Sequence, residues 1–249
     1  MKSLEVLIIA TSHKSLGDTS GNTGVWLNEL TSPYYVFKDA GECITIATPS
    51  GGVIPIDPKS EEEDALTDST KRFKKDQQAM YHLLHSLPLV EVKVENFDMV
   101  FIAGGHGAMI DLVDNKILTA LLEAFRREGK PIGAVGSGVV ALLPLQTEDG
   151  APFVEGRKIT AYSNADVQME GLTYNEPFLL ESQLLSLGAF YSRAPDNTSH
   201  IVVDGKLVTG QNPASSDNTA KDLLSVARNG RDDSKNVFGD IMKDLVPTF

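Results

Sequence analysis

The stretch KPIGAVGSGVVALL, residues 130–143, decides the fold. It predicts a short buried strand, an abrupt turn of small residues, and the start of an apolar helix. In an open α/β sheet, ligands bind beyond the carboxyl ends of the strands, and such a turn is where a nucleophile or a phosphate-binding loop lies. This turn contains neither cysteine nor histidine. It therefore belongs either to an enzyme or to an active site emptied of its nucleophile.

Other apolar runs predict further strands. They are residues 4–10, 43–48, 98–103, 158–162 and 189–191, followed by a hairpin of residues 200–203 and 206–209 around the turn signal Asp204-Gly205. Helical segments alternate with these strands. The pattern predicts an α/β fold with a doubly wound, mostly parallel sheet sandwiched by helices, flavodoxin-like, with a small antiparallel addition.

The expected helical segments are residues 24–40, 67–87, 115–128, 178–187 and 213–228. Pro33 predicts a break or a new helix start inside the first of them. The second carries many charges and predicts one surface helix. Asp114 predicts the N-cap of the third, whose apolar residues form a single stripe.

The chain has 249 residues and a net charge of -12, from 22 Lys and Arg against 34 Asp and Glu. Nothing in its composition marks a second domain, so we predict one α/β domain over residues 1–230 and a C-terminal tail over residues 231–249. The acidic balance argues against nucleic-acid and membrane partners, and every apolar run is too short to span a membrane. The single cysteine, Cys43, excludes an internal disulfide, and no secretory leader opens the chain, so we expect a cytoplasmic protein.

Two patterns resemble cofactor or metal sites. Residues 136–141 fit the dinucleotide fingerprint G-x-G-x-x-G/A, with Glu155 nineteen positions after the first glycine. That fingerprint normally lies in the first strand-to-helix turn, whereas here the first turn is the polar loop of residues 11–23. His82 and His85 lie one helical turn apart without a clear third ligand, which favours a solvated helix face. We therefore expect no cofactor and no metal.

Four segments along the chain together resemble the ThiJ/PfpI superfamily, whose fold is that of class I glutamine amidotransferases. They are Ala103-Gly104-Gly105-His106-Gly107-Ala108-Met109, Glu29-Leu30-Thr31-Ser32-Pro33, Asp57-Pro58-Lys59-Ser60 and Leu207-Val208-Thr209-Gly210-Gln211-Asn212-Pro213-Ala214-Ser215. The resemblance runs from Leu4 to about Arg228 and is closest to the branch of glyoxalase III enzymes and heat-shock chaperone-like proteins. It implies a homodimer.

The same resemblance implies where the active site lies. In the family, the turn reads Ala-Val-Cys-His-Gly, with the cysteine as nucleophile and a glutamate of the first helix touching the thiol. That glutamate is similar to Glu29, whereas Gly136 stands at the cysteine position and Ser137 at the histidine position. The backbone amides of Gly105 and Ser137 stand at the family's oxyanion hole, and the resemblance implies that they can still hold an anion or a carbonyl oxygen. Gly136 is expected to have the positive φ of the family's strained cysteine, which glycine adopts at no steric cost.

Each remaining candidate has a structural alternative. Glu29 is either a pocket carboxylate or a partly exposed helix residue, and the family match favours the pocket. His106 is expected at the ligand-binding site beside Gly105 and Ser137, where it holds the Gly104-Gly105 loop by hydrogen bonding rather than acting as a general base. Ser137 can serve as a hydrogen-bonding group, since a nucleophilic serine needs an adjacent base. Cys43 lies in a predicted strand, where we expect a small, inert apolar group.

Two classes of function remain open. The first is a catalytically degenerate family member that binds a small carbonyl- or carboxylate-containing ligand, or serves as a stress-related protein. The second is a hydrolase of glyoxalase III, deglycase, amidase or protease type that uses another nucleophile. Water activated by Glu29 is the candidate for that role.

Overall fold

The computed structural model describes residues 3–15, 21–169 and 177–241, with side chains up to residue 229. The strands are β1 (Glu5–Ile9), β2 (Cys43–Thr48), β3 (Leu87–Pro88), β4 (Met99–Ile102), β5 (Ile132–Val135), β6 (Lys158–Ile159), β7 (Phe190–Tyr191), β8 (Ile201–Asp204) and β9 (Leu207–Gly210). The α-helices are α1 (Leu27–Asp39), α2 (Asp68–Phe73), α3 (Gln77–Leu84), α4 (Ala108–Asp111), α5 (Lys116–Arg127), α6 (Asn164–Met169), α7 (Leu180–Ser186) and α8 (Ser216–Ile241).

The main sheet has seven strands in the order β3-β2-β1-β4-β5-β9-β8. All neighbouring strands in it are parallel except β8 and β9, which form the predicted antiparallel hairpin. Strands β6 and β7 pair in parallel in a separate two-stranded sheet. The predicted fold class is therefore confirmed: a mostly parallel sheet between helices, with a small antiparallel addition.

Strand β1 shows why the strand sequences are almost continuously apolar. Leu7 and Ile9 pack into a core on one face of the sheet together with Phe125 of α5. Val6 and Ile8 pack into a second core that includes residues of α1. Because both faces are covered, apolar residues are needed at every position, and each fully buried Leu, Ile or Val contributes about 1.5–3 kcal/mol.

Helix α1 corrects the expectation of a break at Pro33. The helix runs without interruption from Leu27 to Asp39, with Pro33 inside it. Proline lacks the N–H that would bond to the carbonyl four residues earlier, which belongs to Glu29, at a cost of about 3 kcal/mol. Burial of Leu30, Tyr34 and other residues of α1 against the sheet offsets this cost.

The region 67–87 also differs from its prediction, because it forms two helices instead of one. Thr67 and Thr70 form a reciprocal capping box that starts α2. The carboxylate of Asp76 accepts the backbone N–H groups of Gln78 and Ala79 and starts α3. An aspartate caps a helix better than it occupies a helix interior, so the chain ends one helix and starts the next there. Phe73, between the two, is fully buried, so the region is not a surface helix throughout.

Two helix ends lie elsewhere than predicted. Asn115, not Asp114, caps α5, since its side-chain oxygen accepts the N–H groups of the second and third helical residues. Helix α8 begins after a 3₁₀ turn that starts at Pro213, and it continues to Ile241, past the predicted end near Arg228. Gly230 lies inside this helix, where a glycine costs about 1 kcal/mol but does not by itself end the helix.

Cys43 lies in β2, whereas His82 lies in α3 and His85 caps its carboxyl end. Cys43 begins β2 as predicted, but it is exposed instead of packed as an apolar group. His82 is partly buried, with its ring centroid 6.0 Å from that of Tyr34, and this burial together with the charge of Lys38 lowers its pKa. His85 stacks on Tyr81 at the end of α3. Among the residues that the structure describes, no cluster of three or more His, Cys, Asp or Glu side chains can hold a metal.

Candidate functional site

A small pocket lies where the carboxyl ends of the central strands meet. The residues that line it are Trp26, Glu29, Gly105, His106, Ser137, Tyr162 and Pro213. Glu29 comes from the first turn of α1, Gly105 and His106 from the loop after β4, and Ser137 from the turn after β5. The structure thus brings these four candidate residues of the sequence to one place.

The turn after β5 has the backbone conformation predicted for it. Gly136 has φ of +57°, in the left-handed region that favours glycine. A 3₁₀ helix over Gly136–Leu142 follows, where an α-helix was predicted. This segment packs closely on the end of β4, since a Cβ on Gly138 would lie 2.8 Å from the carbonyl oxygens of Ile102 and Ala103.

The carboxylate of Glu29 lies directly against this turn. A Cβ placed on Gly136 would overlap Glu29 Oε1 and would lie 2.8 Å from Oε2. The carboxylate also closes on Gly104, where a Cβ would come within 2.5 Å of it. Glu29 is only 2% exposed. Glu29 is therefore a buried pocket carboxylate and not a partly exposed helix residue. Its carboxylate occupies the space into which a side chain at position 136 would project.

Gly105 shapes the opposite side of the pocket through its backbone. Its φ is +108°, and a Cβ there would come within 2.5 Å of the carbonyl oxygen of Gly24 and the amide nitrogen of Trp26. The amide of Trp26 in turn donates to the carbonyl oxygen of Gly104 at 3.2 Å. The loop after β4 and the segment before α1 are therefore in direct backbone contact, which only glycine permits.

His106 pairs with a carboxylate outside its own loop. Its Nδ1 lies 3.7 Å from Asp57 Oδ2, and both side chains are buried. Asp57 also accepts hydrogen bonds from the Thr23 hydroxyl at 2.8 Å and the Lys59 amide at 3.0 Å. Burial alone would raise the pKa of Asp57, but the nearby His106 ring and the hydrogen bond from Thr23 outweigh it and lower this pKa. His106 thus holds the loop after β4 to the segment at residue 57, which is a wider structural role than the one predicted.

Three lining residues were not found by sequence reasoning. Trp26, Tyr162 and Pro213 form a boundary shared by the small pocket and a larger cleft beside it. The Tyr162 amide lies 3.4 Å from the carbonyl oxygen of Gly136, which fixes Tyr162 next to the turn. Two signals were available in the sequence. Trp26 is the only tryptophan in the chain and directly precedes the helix that carries Glu29, and Tyr162 ends the strand predicted over residues 158–162.

The two cavities differ greatly in size. The small pocket measures about 10 Å³ and the larger cleft about 490 Å³. A volume near 10–15 Å³ holds roughly one water molecule. The small pocket therefore accepts one oxygen-sized group, and any larger group requires side chains of its boundary to move.

Comparison with known proteins relates this arrangement to a family. Residues 22–226 match the DJ-1/PfpI family. The chain is 31% identical over 239 residues to the glutathione-independent glyoxalase hsp3101 of Schizosaccharomyces pombe, a match that covers 91% of this chain and 97% of the relative.

Solved structures agree with the sequence match. The Rapid Encystment Protein 24 kDa of Francisella tularensis superimposes with a TM-score of 0.86 at 33% identity, covering 90% of this chain and 99% of the other. Glyoxalase III of Candida albicans superimposes with a TM-score of 0.81 at 24% identity, covering 90% and 97% of the two chains, which shows a shared fold. The chain belongs to the DJ-1/PfpI family, in which its relatives include glyoxalase III-like proteins.

Proposed function

We propose that this chain is a catalytically degenerate member of its family that binds a small ligand through a carbonyl or carboxylate oxygen. The observation that carries the proposal is the contact between Glu29 and Gly136. A residue without a side chain stands at the nucleophile position, and a buried carboxylate fills the space beside it. A site arranged in this way has no thiol that can form a covalent bond to a carbonyl carbon.

The chain's own cysteine lies far from this position. Cys43 begins β2 at its amino end, whereas the pocket is at the carboxyl ends of the strands. Five strand residues separate the two ends, which corresponds to roughly 16 Å at about 3.3 Å per residue. The exposed thiol of Cys43 therefore cannot act in the pocket.

Backbone donors support a binding role. Gly105 and Ser137 both line the pocket. The family resemblance implies that their N–H groups stand at the positions that stabilise an oxyanion. Main-chain donors do not depend on side-chain identity, so the change from cysteine to glycine leaves them in place. A carbonyl or carboxylate oxygen has the size that the pocket accepts.

The alternative function is hydrolysis by water that Glu29 activates. The relatives named as glyoxalases favour it, as does a pocket beside Glu29 with room for one water molecule. In this case the chain acts as a glyoxalase III, deglycase, or amidase- or protease-like enzyme, without a thioester or thiohemiacetal intermediate. Ser137 then contributes its N–H and hydroxyl as hydrogen-bonding groups.

Methylglyoxal consumption separates the two functions. We expect no turnover above background by the wild-type chain or by Cys43→Ser, and no labelling of the pocket by thiol reagents. Turnover that survives Cys43→Ser and is abolished by Glu29→Gln would contradict degeneracy and establish the alternative. Thermal unfolding of both variants serves as the control for folding.

Assembly and location are further proposals that rest on the family resemblance. We propose a symmetric homodimer in the cytoplasm with a stress-related, chaperone-like role. Among the described residues, no helix is long and apolar enough to cross a membrane. Light scattering at micromolar concentration is expected to give twice the chain mass of 26.9 kDa, and a monomer mass would refute the dimer.

A further inference from the structure

We propose that the larger cleft binds an organic cation, an ammonium or guanidinium group, carried by the same ligand whose carbonyl end enters the small pocket. The proposal rests on the function proposed above for the small pocket and adds the chemical class of the ligand. Trp26, Tyr162 and Pro213 line both cavities, so a ligand of several bonds can reach from one into the other.

Asp166 is the group that points to a cation. It lies in α6, is 3% exposed, and lines the cleft. Its Oδ2 atom accepts from the Ser163 amide at 3.0 Å, the Ser163 hydroxyl at 2.6 Å and Gln211 Nε2 at 3.1 Å. Its Oδ1 atom accepts no hydrogen bond from the residues that the structure describes. One oxygen therefore anchors the carboxylate, and the other is left to a ligand.

The other polar side chains in the floor of the cleft already have partners. Asn28 donates to the carbonyl oxygen of Pro213 at 2.9 Å and accepts from the Thr67 hydroxyl at 2.8 Å. Asn212 donates to the carbonyl oxygen of Thr198 and accepts from Ser215. These amides fix the shape of the cleft, whereas Asp166 retains capacity for a new hydrogen bond.

The charges around the cleft favour the same ligand. Glu62 and Asp64 line it together with Asp166, against one cation, Lys59. Both rim carboxylates are exposed, so each contributes less than the buried one. Three carboxylates against one ammonium give the cleft a net negative potential, which attracts cations and repels anions. A buried carboxylate held in a fixed direction makes a stronger hydrogen bond to a charged donor than to a neutral one.

Three probes separate the two parts of the proposed ligand. Butyramide carries only the carbonyl group, butylammonium only the cation, and γ-aminobutyramide both. Titration calorimetry is expected to show that γ-aminobutyramide binds roughly tenfold more tightly than butyramide. A gain of this size corresponds to one hydrogen bond from the ammonium group to the Asp166 carboxylate. Asp166→Asn is expected to abolish this advantage and leave butyramide binding unchanged. Added salt is expected to reduce the advantage in the wild-type chain.

The control is Asp149→Asn, which removes one carboxylate from a fully exposed loop and is expected to preserve the advantage. If Asp166→Asn does not fold, the variant Glu62→Gln with Asp64→Asn takes its place, and a smaller loss of the advantage is expected.

An equal affinity for butyramide and γ-aminobutyramide in the wild-type chain would overturn the cation site while leaving the carbonyl pocket intact. An advantage that persists in Asp166→Asn would overturn it as well. Failure of butyramide to bind, with butylammonium binding that depends on Asp166, would instead refute the carbonyl pocket and keep the cation site.

Discussion

On one side of the small pocket, Gly104 and Gly136 present only backbone, and the single carboxylate of Glu29 closes against both of them. On the other side, His106 and Asp57 hold each other at 3.7 Å, and the Thr23 hydroxyl donates to the same carboxylate. The first side is formed by backbone and one carboxylate, whereas the second is held together by contacts between side chains. Close backbone packing on one side and contacts of the Asp57 carboxylate on the other therefore both maintain the shape of this pocket.

The largest loss of stability is expected at Gly105, because the atoms next to it belong to the backbone. Gly105→Ala adds a Cβ at φ of +108° that overlaps main-chain atoms of Gly24 and Trp26, which cannot move aside independently. Strain and overlap each cost about 1–3 kcal/mol, so we expect a loss of about 3 kcal/mol or more in the free energy of unfolding. Denaturant titration measures it.

Gly150→Ala is the matched control for Gly105→Ala. Its φ is +84°, but nothing lies within 4 Å of the added Cβ. It therefore carries only the cost of the left-handed conformation, about 1–2 kcal/mol. Equal losses in the two variants would show that the contact between the loop after β4 and the segment before α1 does not constrain the pocket.

A smaller effect is expected at Gly136, because the atom in the way ends a side chain. Gly136→Ala should lose about 1–3 kcal/mol, part from φ of +57° and part from displacement of the Glu29 carboxylate. In a Glu29→Ala background, the same substitution should cost only as much as Gly41→Ala, whose φ is +80° with no neighbour within 4 Å. A double-mutant cycle on thermal unfolding measures this coupling. A cost at Gly136 that is independent of Glu29 would contradict the direct contact.

The smallest effect is expected at Asp57 and depends on pH. Since the folded-state pKa of Asp57 lies below its ordinary value, its ionised form stabilises the fold above the unfolded pKa. That stabilisation is lost as the pH falls below about 4 and through the folded pKa. Asp57→Asn should therefore cost about 1 kcal/mol near neutral pH and flatten the acid limb of the stability curve.

Asp64→Asn serves as the control for Asp57→Asn, since Asp64 is an exposed carboxylate outside this network. It should leave the acid limb unchanged. Urea titrations at a series of pH values between about 3 and 7 measure both variants. An acid limb that is as steep in Asp57→Asn as in the wild-type chain would show that the His106 side of the pocket does not depend on this carboxylate.

The sequence predicted those parts of the molecule that follow from local patterns. The apolar run at β1 and the hairpin signal Asp204-Gly205 led to the correct sheet, and the small residues around Gly136 led to the correct turn. Sequence patterns failed where tertiary contacts decide the outcome. Burial of α1 overrides the helix-breaking tendency of Pro33, and the cap at Asp76 divides a region whose spacing predicted one helix.

The candidate site was predictable only in part, for the same reason. Glu29 and Gly136 could be placed through the family resemblance, since the motif segments carry them. The pairing of His106 with Asp57 joins residues from two distant loops, and no spacing in the chain indicates it. The meeting of three donors at one oxygen of Asp166 is likewise arranged only by the folded structure.

The central claim, an emptied but intact active site, is tested most directly by restoring the missing pair. The variant Gly136→Cys with Ser137→His, built in a Cys43→Ser background, places a thiol at the start of the 3₁₀ helix beside an imidazole. The pH dependence of its alkylation rate gives the thiol pKa. We predict a pKa below the value of about 8.5 of a free cysteine, because helix-terminal N–H groups and a protonated histidine stabilise a thiolate by more than the adjacent Glu29 carboxylate, which has to shift to admit the side chain, destabilises it. A thiol that reacts no faster than free cysteine, with a pKa at or above that value, would contradict the account.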